Sequence, residues 1–434
     1  MKKYLNKNSA KEFLWVAIGN TINILGLLVT IKLFTKKLPQ SEYGIYYLSL
    51  TVSLFVNQIF FGPLGNAIAR YLLISKSEND TSNLLSDSFS IFKKCIFLLS
   101  FFYVLTILVL IYISGYKFII LTTSTFLFSI FTGSSSIISS LQNINRERKN
   151  VAVFQILDSI FKIIFIFIFL KIFNNDANIV SIASTSSSLI LLVLQIFYIK
   201  FSNNQLCFVY NNNATSNWTK KLYSYSLPFS IWGIFTWAQI SSDRWFLEKF
   251  SDTNSIAKYA VLYQIGFYPL TILMGYIVQT ITPILFNRAG NGTDKAMIKN
   301  STMLNLKVSI VSIFITIIGF IIIYLLQDEL TALLTSSKYF EVSKYLPIML
   351  LSGGLFATSQ ILSLDFLSQI KINDLMFIKI FTSILGIFFS FYLIKFNGFS
   401  GAVYSNFSFS IVYLITILFI VIIRLRKSNE ENIL

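Results

Sequence analysis

The sequence has no histidine, only two cysteines and few charged residues. Asp, Glu, Lys and Arg make up 12% of its 434 residues, against 55% hydrophobic residues. Without histidine, histidine-dependent catalysis and His-ligated metal sites are excluded. Cys95 and Cys207 each lie beside a basic segment, which argues against a disulfide or a thiolate metal site. There is no GxxxxGK phosphate loop. We therefore expect no enzyme activity, no catalytic residue, no metal and no cofactor.

Long apolar runs are the main feature that the chain does have. A helix needs about 20 apolar residues to cross a bilayer core of roughly 30 Å, and only a helix satisfies its backbone polar groups there without water. Ten runs carry no charge, and two more carry internal charges but are apolar enough to span: 13–31, 43–69, 95–116, 118–145, 177–199, 222–242, 259–287, 308–327, 345–364 and 396–423, with 151–170 and 375–396. They predict an all-α integral membrane protein of about 12 transmembrane helices.

The distribution of basic residues predicts the orientation. The formal net charge is +16, but the Lys and Arg residues lie between apolar spans rather than on one folded face, so we expect no nucleic-acid partner. If the N-terminus is cytoplasmic, inward segments carry Lys and Arg over outward segments at a ratio of roughly two to one. Both termini are therefore expected in the cytoplasm. The first apolar run has no small-residue cleavage site and is expected to remain as the first span.

A local repeat predicts two halves. The segment TKKLPQSEYGIYYLSL before and within the second span resembles LEKFSDTNSIAKYAVLYQIG before the eighth, with Tyr43 and Tyr259 about half a chain length apart. We expect two six-helix bundles in a parallel pseudo-repeat around a central cavity, namely residues 1–200 and 222–434, joined by a cytoplasmic linker at 201–221. Enrichment of tyrosine at membrane interfaces is the alternative explanation of the match.

Several short motifs resemble those of a known transporter superfamily. They are LPQSEYGIY at 38–46, LP at 227–228, DRWFL at 243–247, KYA at 258–260 and NGFSGA at 397–402. With the length and the helix count, they resemble the polysaccharide-transport branch of the multidrug/oligosaccharidyl-lipid/polysaccharide (MOP) exporter superfamily, and in particular the Wzx-type O-antigen or capsule-unit flippases.

The resemblance implies a function and partners. It implies translocation of an undecaprenyl-pyrophosphate-linked oligosaccharide from the cytoplasmic to the periplasmic leaflet of the bacterial inner membrane, without an enzymatic step. The expected partners are this lipid-linked substrate and the membrane lipids. A coupling ion, either a proton or sodium, and a polysaccharide polymerase with a chain-length regulator are further candidates.

The fifth span contains the strongest candidate residues for a substrate cavity. Asp158 and Lys162 are four residues apart and therefore share one helical face, with Gln155 one turn away. A charge at that depth costs at least about 2.5 kcal/mol, so it needs a partner or a water-filled lumen. We expect Lys162 to attract the pyrophosphate or its sugar, and Asp158 to hold Lys162 or to take part in ion coupling. A salt bridge that only pins the helix is the alternative.

Four further residues are candidates. Arg70 ends the second span at the cytoplasmic mouth, where it either meets the phosphate or anchors the helix. Asp365 either faces the cavity or snorkels from the inner end of its span. Asp243 and Arg244, where the resemblance places a recurring acidic-basic pair, are candidates for an outer gate, with a solvated loop pair as the alternative.

Two other functions remain open. A drug or small-molecule antiporter of the same superfamily would favour a more acidic cavity. An O-antigen polymerase or ligase would handle the same lipid carrier, but it would resemble enzymes with a long periplasmic loop, whereas the longer polar connections here are on the predicted cytoplasmic side.

Overall fold

The computed structural model describes residues 7–201, 218–290, 294–369 and 371–430. All regular structure in these ranges is helical, which confirms the predicted all-α class. The α-helices are α1 (Lys7–Lys37), α2 (Gln40–Val56), α3 (Gly62–Ser77), α4 (Thr81–Ser114), α5 (Ile119–Ile144), α6 (Arg148–Ile172), α7 (Ala177–Phe201), α8 (Trp218–Phe250), α9 (Thr253–Leu262), α10 (Tyr268–Ala289), α11 (Lys295–Leu334), α12 (Leu346–Ser368) and α13 (Ile372–Glu430). A 3-10 helix, Ser337–Tyr345, precedes α12.

The helices are long enough for a multi-pass membrane protein. Ten segments of the described chain have the length and hydropathy to cross a membrane. One of them, Asn373–Leu425, contains two helices, because α13 breaks at Gly398, where φ is 56° and ψ is −129°. Only glycine adopts this conformation without strain. α8 has 33 residues, enough to span, although its many Ser, Tyr and Trp residues keep it outside those ten.

The helices form two compact units, and two helices contribute to both. The first unit contains Met1–Thr30 and Lys37–Trp237, and the second contains Ile31–Lys36 and Ala238–Leu434. Residues 31–36 of α1 thus pack in the second unit, where Lys32 Nζ donates to the carbonyls of Ala332, at 3.0 Å, and Thr335. A cation there complements the unpaired carbonyls at the end of α11. Most of the predicted linker, 201–221, lies outside the described residues.

The beginning of α8 is held within the first unit. The Trp218 indole donates to Asp80 Oδ2 at 2.5 Å, and the Thr219 backbone N–H donates to Asp87 Oδ2 at 2.8 Å. Carboxylates at this end stabilise the unpaired N–H groups of the first turn. Further along α8, the Trp237 indole donates to the Thr51 carbonyl at 2.7 Å.

A second internal repeat marks a π-helical turn in each unit. The pattern Gln-Ile-x-Phe-x-Pro occurs at 58–63 and again at 264–269, and it coincides with the π-turns Asn57–Phe61 and Tyr263–Phe267. In an α-helix, each backbone N–H donates a hydrogen bond to the carbonyl four residues earlier. Proline has no N–H, so that carbonyl lacks its usual donor. In the first unit, that carbonyl belongs to Ile59, and the Ser230 hydroxyl of α8 donates to it at 2.8 Å. The same motif thus recurs once in each unit.

Each π-turn also packs closely against a glycine. A Cβ atom on Gly133 of α5 would lie 2.1 Å from Phe61 Cδ2, and one on Gly353 of α12 would lie 2.5 Å from the Phe267 carbonyl oxygen. In both units, the glycine has no side chain, and this allows its helix to approach the π-turn closely.

The short connection before α9 contains the residue that caps this helix, Asp252. Asp252 caps α9 by accepting a 2.8 Å hydrogen bond from the Ser255 N–H. Partial burial alone would raise the pKa of Asp252, but the hydrogen bonds from Ser255 and the charge of Lys258 hold it below its ordinary value.

Candidate functional site

The charged face of α6 points away from the apolar exposed face of the same helix. Val153, Ile160 and Ile164 are exposed and follow helical spacing. Asp158 and Lys162 each lie two positions from a member of this stripe, which corresponds to about 200° around a helix. Both are nevertheless partly accessible rather than fully buried. Asp158 and Lys162 therefore lie on the side of α6 away from its exposed apolar residues, and this side holds charges of both signs.

Asp158 and Lys162 interact through their charges but are not locked together. The ammonium of Lys162 acts electrostatically on the Asp158 carboxylate, yet within the described residues no direct salt bridge joins the two side chains. Gln155 lies at the contact with α1, since a Cβ on Gly19 would be 2.9 Å from its Oε1.

Arg70 lies on an exposed polar face of α3. Arg70 and Asn66 are four residues apart, both are exposed, and the charge of Arg70 acts on the hydroxyl of Tyr225 in α8. An arginine near a helix end can snorkel to the membrane surface, but an asparagine cannot. The position of Asn66 therefore indicates that this face is hydrated.

Asp243 is buried inside the second unit within a cluster of hydroxyl groups. Its side chain is 2% exposed. The Tyr259 hydroxyl donates to Oδ2 at 2.6 Å and the Ser390 hydroxyl donates to Oδ1 at 2.6 Å. The Ser405 hydroxyl is 2.8 Å from that of Ser390, and the Asn406 amide donates to the Tyr259 oxygen at 3.2 Å. Three segments of the chain thus meet at one carboxylate.

Arg244, the other candidate gate residue, is also 2% exposed. Its guanidinium lies 5.4 Å from the ring centre of Tyr263 in the second π-turn, a distance at which a cation is attracted to the ring face. Neither member of the predicted pair is solvated in this structure.

Asp365 lies in the interior of the second unit. It is 1% exposed, and its two oxygens accept hydrogen bonds from the Thr302 hydroxyl at 2.6 Å and from the Gln369 amide at 2.8 Å. Nearby, Arg424 pairs with Asp374 and lies 4.3 Å from the ring centre of Phe366. These contacts are typical of a residue that holds α11 and α12 together.

The structure therefore divides the predicted site residues between the units. Arg70, Gln155, Asp158 and Lys162 belong to the first unit, whereas Asp243, Arg244 and Asp365 belong to the second. The contribution of Ser390 and Asn406 was missed, because serine and asparagine are common within apolar spans. The Gln-Ile-x-Phe-x-Pro repeat was also missed, although direct comparison of the two halves reveals it. Among the described residues, no group of three or more Cys, Asp or Glu could hold a metal ion.

The sequence profile of one family covers most of the chain. The profile of the family described as "Polysaccharide biosynthesis protein" matches residues 9–288, which is well over half of the 434 residues. The chain belongs to this family. The matched part of the chain contains every candidate site residue except Asp365. No curated protein gives a significant match to the sequence.

Three solved structures that resemble the chain are those of two transporters and a flippase. An inward-facing multidrug resistance MATE family transporter of the MOP superfamily has a TM-score of 0.71 and 14% identity, covering 96% of this chain and 99% of its own. The lipid II flippase MurJ, in an inward closed conformation, has a TM-score of 0.69 and 13% identity, covering 94% and 87%. A MOP superfamily transporter from Pyrococcus furiosus, described by the reverse polarity of its binding pocket, has a TM-score of 0.60 and 13% identity, covering 98% and 96%.

The likeness to these proteins confirms the predicted fold, that of MOP-superfamily transporters with about twelve membrane-spanning helices in two bundles.

Proposed function

We propose that the protein is a flippase for an undecaprenyl-pyrophosphate-linked oligosaccharide repeat unit of O-antigen or capsule. It moves this unit from the cytoplasmic to the periplasmic leaflet of the bacterial inner membrane by alternating access through a cationic cavity, and both of its termini are cytoplasmic. The observation that carries the proposal is the position of Lys162, which is partly accessible in the middle of α6 on the face opposite the exposed apolar stripe.

The chemistry of the substrate fits this position. A pyrophosphate carries at least two negative charges, and lysine binds phosphate oxygens as a mobile point charge. A lysine within a bilayer is costly unless it faces water or an anion. The exposed Arg70 and Asn66 of α3 provide a second hydrated, cationic position in the same unit. In the proposal, Arg70 meets the pyrophosphate at the cytoplasmic side and Lys162 holds it during translocation.

Transport without ATP hydrolysis needs another source of free energy. Moving one charge across 100 mV changes its free energy by about 2.3 kcal/mol. A coupling proton or sodium ion would bind at a carboxylate, and Asp158 and Asp243 are the candidates. Consumption of the product by a polysaccharide polymerase, acting with a chain-length regulator, would also draw transport forward.

The test is a complementation assay with variants of one helix. A deletion strain is expected to accumulate the lipid-linked repeat unit in the cytoplasmic leaflet. The Lys162→Ala variant should not prevent this accumulation. Its transport should be lowered about 10- to 100-fold, as expected for the loss of a hydrogen bond from a charged group. Lys162→Arg should retain partial activity. Lys171→Ala is the matched control, since Lys171 is exposed at the end of α6. Full activity of a stably inserted Lys162→Ala variant would refute the role of Lys162.

A small-molecule antiporter is the second candidate, because MATE transporters share the fold over nearly the whole chain. That function predicts a change in drug susceptibility on deletion and no accumulation of the lipid-linked repeat unit.

A further inference from the structure

The first half of α8 presents two different faces. Leu227, Ile231 and Ile234 follow helical spacing and are exposed. Tyr225, Phe229 and Trp232 follow the same spacing two positions earlier, which places them about 200° away around the helix. They are only partly exposed. The exposed face of α8 therefore carries aliphatic side chains together with Tyr223, and the opposite face carries aromatic ones.

The aromatic face continues onto α3 as an unbroken series of rings. Tyr225 and Phe229 have ring centres 5.3 Å apart, and Phe229 and Trp232 are stacked at 6.0 Å with planes inclined by 19°. Tyr71 of α3 contacts Tyr225 at 5.9 Å and Trp218 at 5.8 Å. Along α8, from Tyr225 to Trp232, the series extends about 10 Å. We refer to Tyr71, Tyr225, Phe229 and Trp232 as the aromatic track.

Tyr71 and Tyr225 pack on one side against the buried core of the first unit, and polar residues of α3 lie beside the aromatic track on the other. Arg70 directly precedes Tyr71 and acts electrostatically on Tyr225. Asn66, one turn earlier on α3, is exposed eleven residues before the helix ends at Ser77. A hydrated cation beside partly accessible rings is a surface of mixed character. Fatty acyl chains match only its rings, and a free phosphate matches only its arginine.

We propose that the aromatic track binds the sugar rings of the lipid-linked substrate, while the neighbouring Arg70 binds its pyrophosphate. A sugar ring has an apolar face of C–H groups that packs on an aromatic ring, and its hydroxyls remain free to hydrogen-bond water and side chains such as Asn66. Rings at successive turns allow the glycan to move along α8 without a deep, specific pocket. This inference rests on the proposed flippase function and names the part of the substrate that each group recognises.

The experiment separates the glycan from its lipid carrier. Two probes are used with the full chain in proteoliposomes: the undecaprenyl-pyrophosphate-linked repeat unit extracted from the deletion strain, and undecaprenyl pyrophosphate alone. Trp232→Leu should lower transport of the first probe about 2- to 10-fold, the loss expected from one ring contact, and leave transport of the second unchanged. Trp232→Phe should retain most activity. Ile231→Ala, on the opposite face, is the matched control.

A direct binding measurement supports the transport assay. The soluble oligosaccharide released from the substrate should quench tryptophan fluorescence in the wild type and in Trp237→Phe, whose indole is held by the Thr51 carbonyl, but much less in Trp232→Phe. Equal loss with both lipid probes would show that Trp232 only supports the fold and would overturn the inference. So would wild-type transport of the glycan by Trp232→Leu. If the wild type moves neither probe, the proposed flippase function itself fails.

Discussion

The hydroxyl of Tyr259 donates a 2.6 Å hydrogen bond to Asp243 inside the second unit, where both side chains are almost completely buried. Asp243 is on α8 and Tyr259 is on α9, so the bond joins two consecutive helices. The carboxylate receives a second donor, the Ser390 hydroxyl of α13. A buried carboxylate needs such donors, because it has lost those of water.

Removing the tyrosine hydroxyl should destabilise the second unit. Tyr259→Phe leaves Asp243 with one hydroxyl donor fewer and is expected to cost about 1–3 kcal/mol, the range for an unsatisfied buried group. The midpoint of thermal unfolding in detergent measures this. Tyr404→Phe is the control, because Tyr404 is 42% exposed. An unchanged midpoint for Tyr259→Phe would mean that the bond contributes nothing to stability.

Exchanging the charges on α6 should distinguish a substrate-binding lysine from a simple structural pair. The double variant Asp158→Lys with Lys162→Asp keeps both charges on one face but moves the cation by about 6 Å along the helix. If Lys162 contacts substrate, the variant should insert normally yet transport at least about tenfold less in the complementation assay. Recovery of wild-type transport by the exchange would instead favour a salt bridge that only pins α6.

The hydroxyl of Ser230 should stabilise the first π-turn. Ser230→Ala leaves the Ile59 carbonyl, which has no donor from Pro63, without the 2.8 Å hydrogen bond seen in the structure. We expect a loss of about 1–3 kcal/mol, seen as a lower unfolding temperature. Ser224→Ala, an exposed position of the same helix, should have little effect. Equal melting of the two variants would contradict this assignment.

The close contact at Gly133 should tolerate no side chain. Gly133→Ala places a Cβ atom 2.1 Å from Phe61 Cδ2, and Phe61 is completely buried, so the ring cannot move aside freely. Overpacking of this kind costs about 1–3 kcal/mol. Gly275→Ala is the matched control, since nothing lies within 4 Å of its Cβ position, and it should be neutral or slightly stabilising. Comparable thermal stability of the two variants would argue against the contact.

The shared helical face of Asp158 and Lys162 was predictable because it depends only on local geometry. Residues four positions apart share a helical face, so Asp158 and Lys162 were placed together from their spacing alone. The environments of Asp243 and Asp365 were not predictable. Both were candidates for a gate or a cavity, yet their oxygens accept hydrogen bonds from Tyr259, Ser390, Thr302 and Gln369. Most of these partners are distant in the chain, and no periodicity within one span identifies them.

Hydrophobicity and length by themselves determined that the chain is a helical membrane protein of about twelve spans, because a bilayer permits few ways to satisfy the backbone. Short-range spacing determined which polar residues share a helix face. The tertiary structure alone decided that α1 and α8 each contribute to both units, that proline-interrupted turns in each unit pack on glycines, and that the rings of α8 continue onto α3 beside Arg70. These features depend on contacts between helices, which are decided by the packing of side chains far apart in sequence.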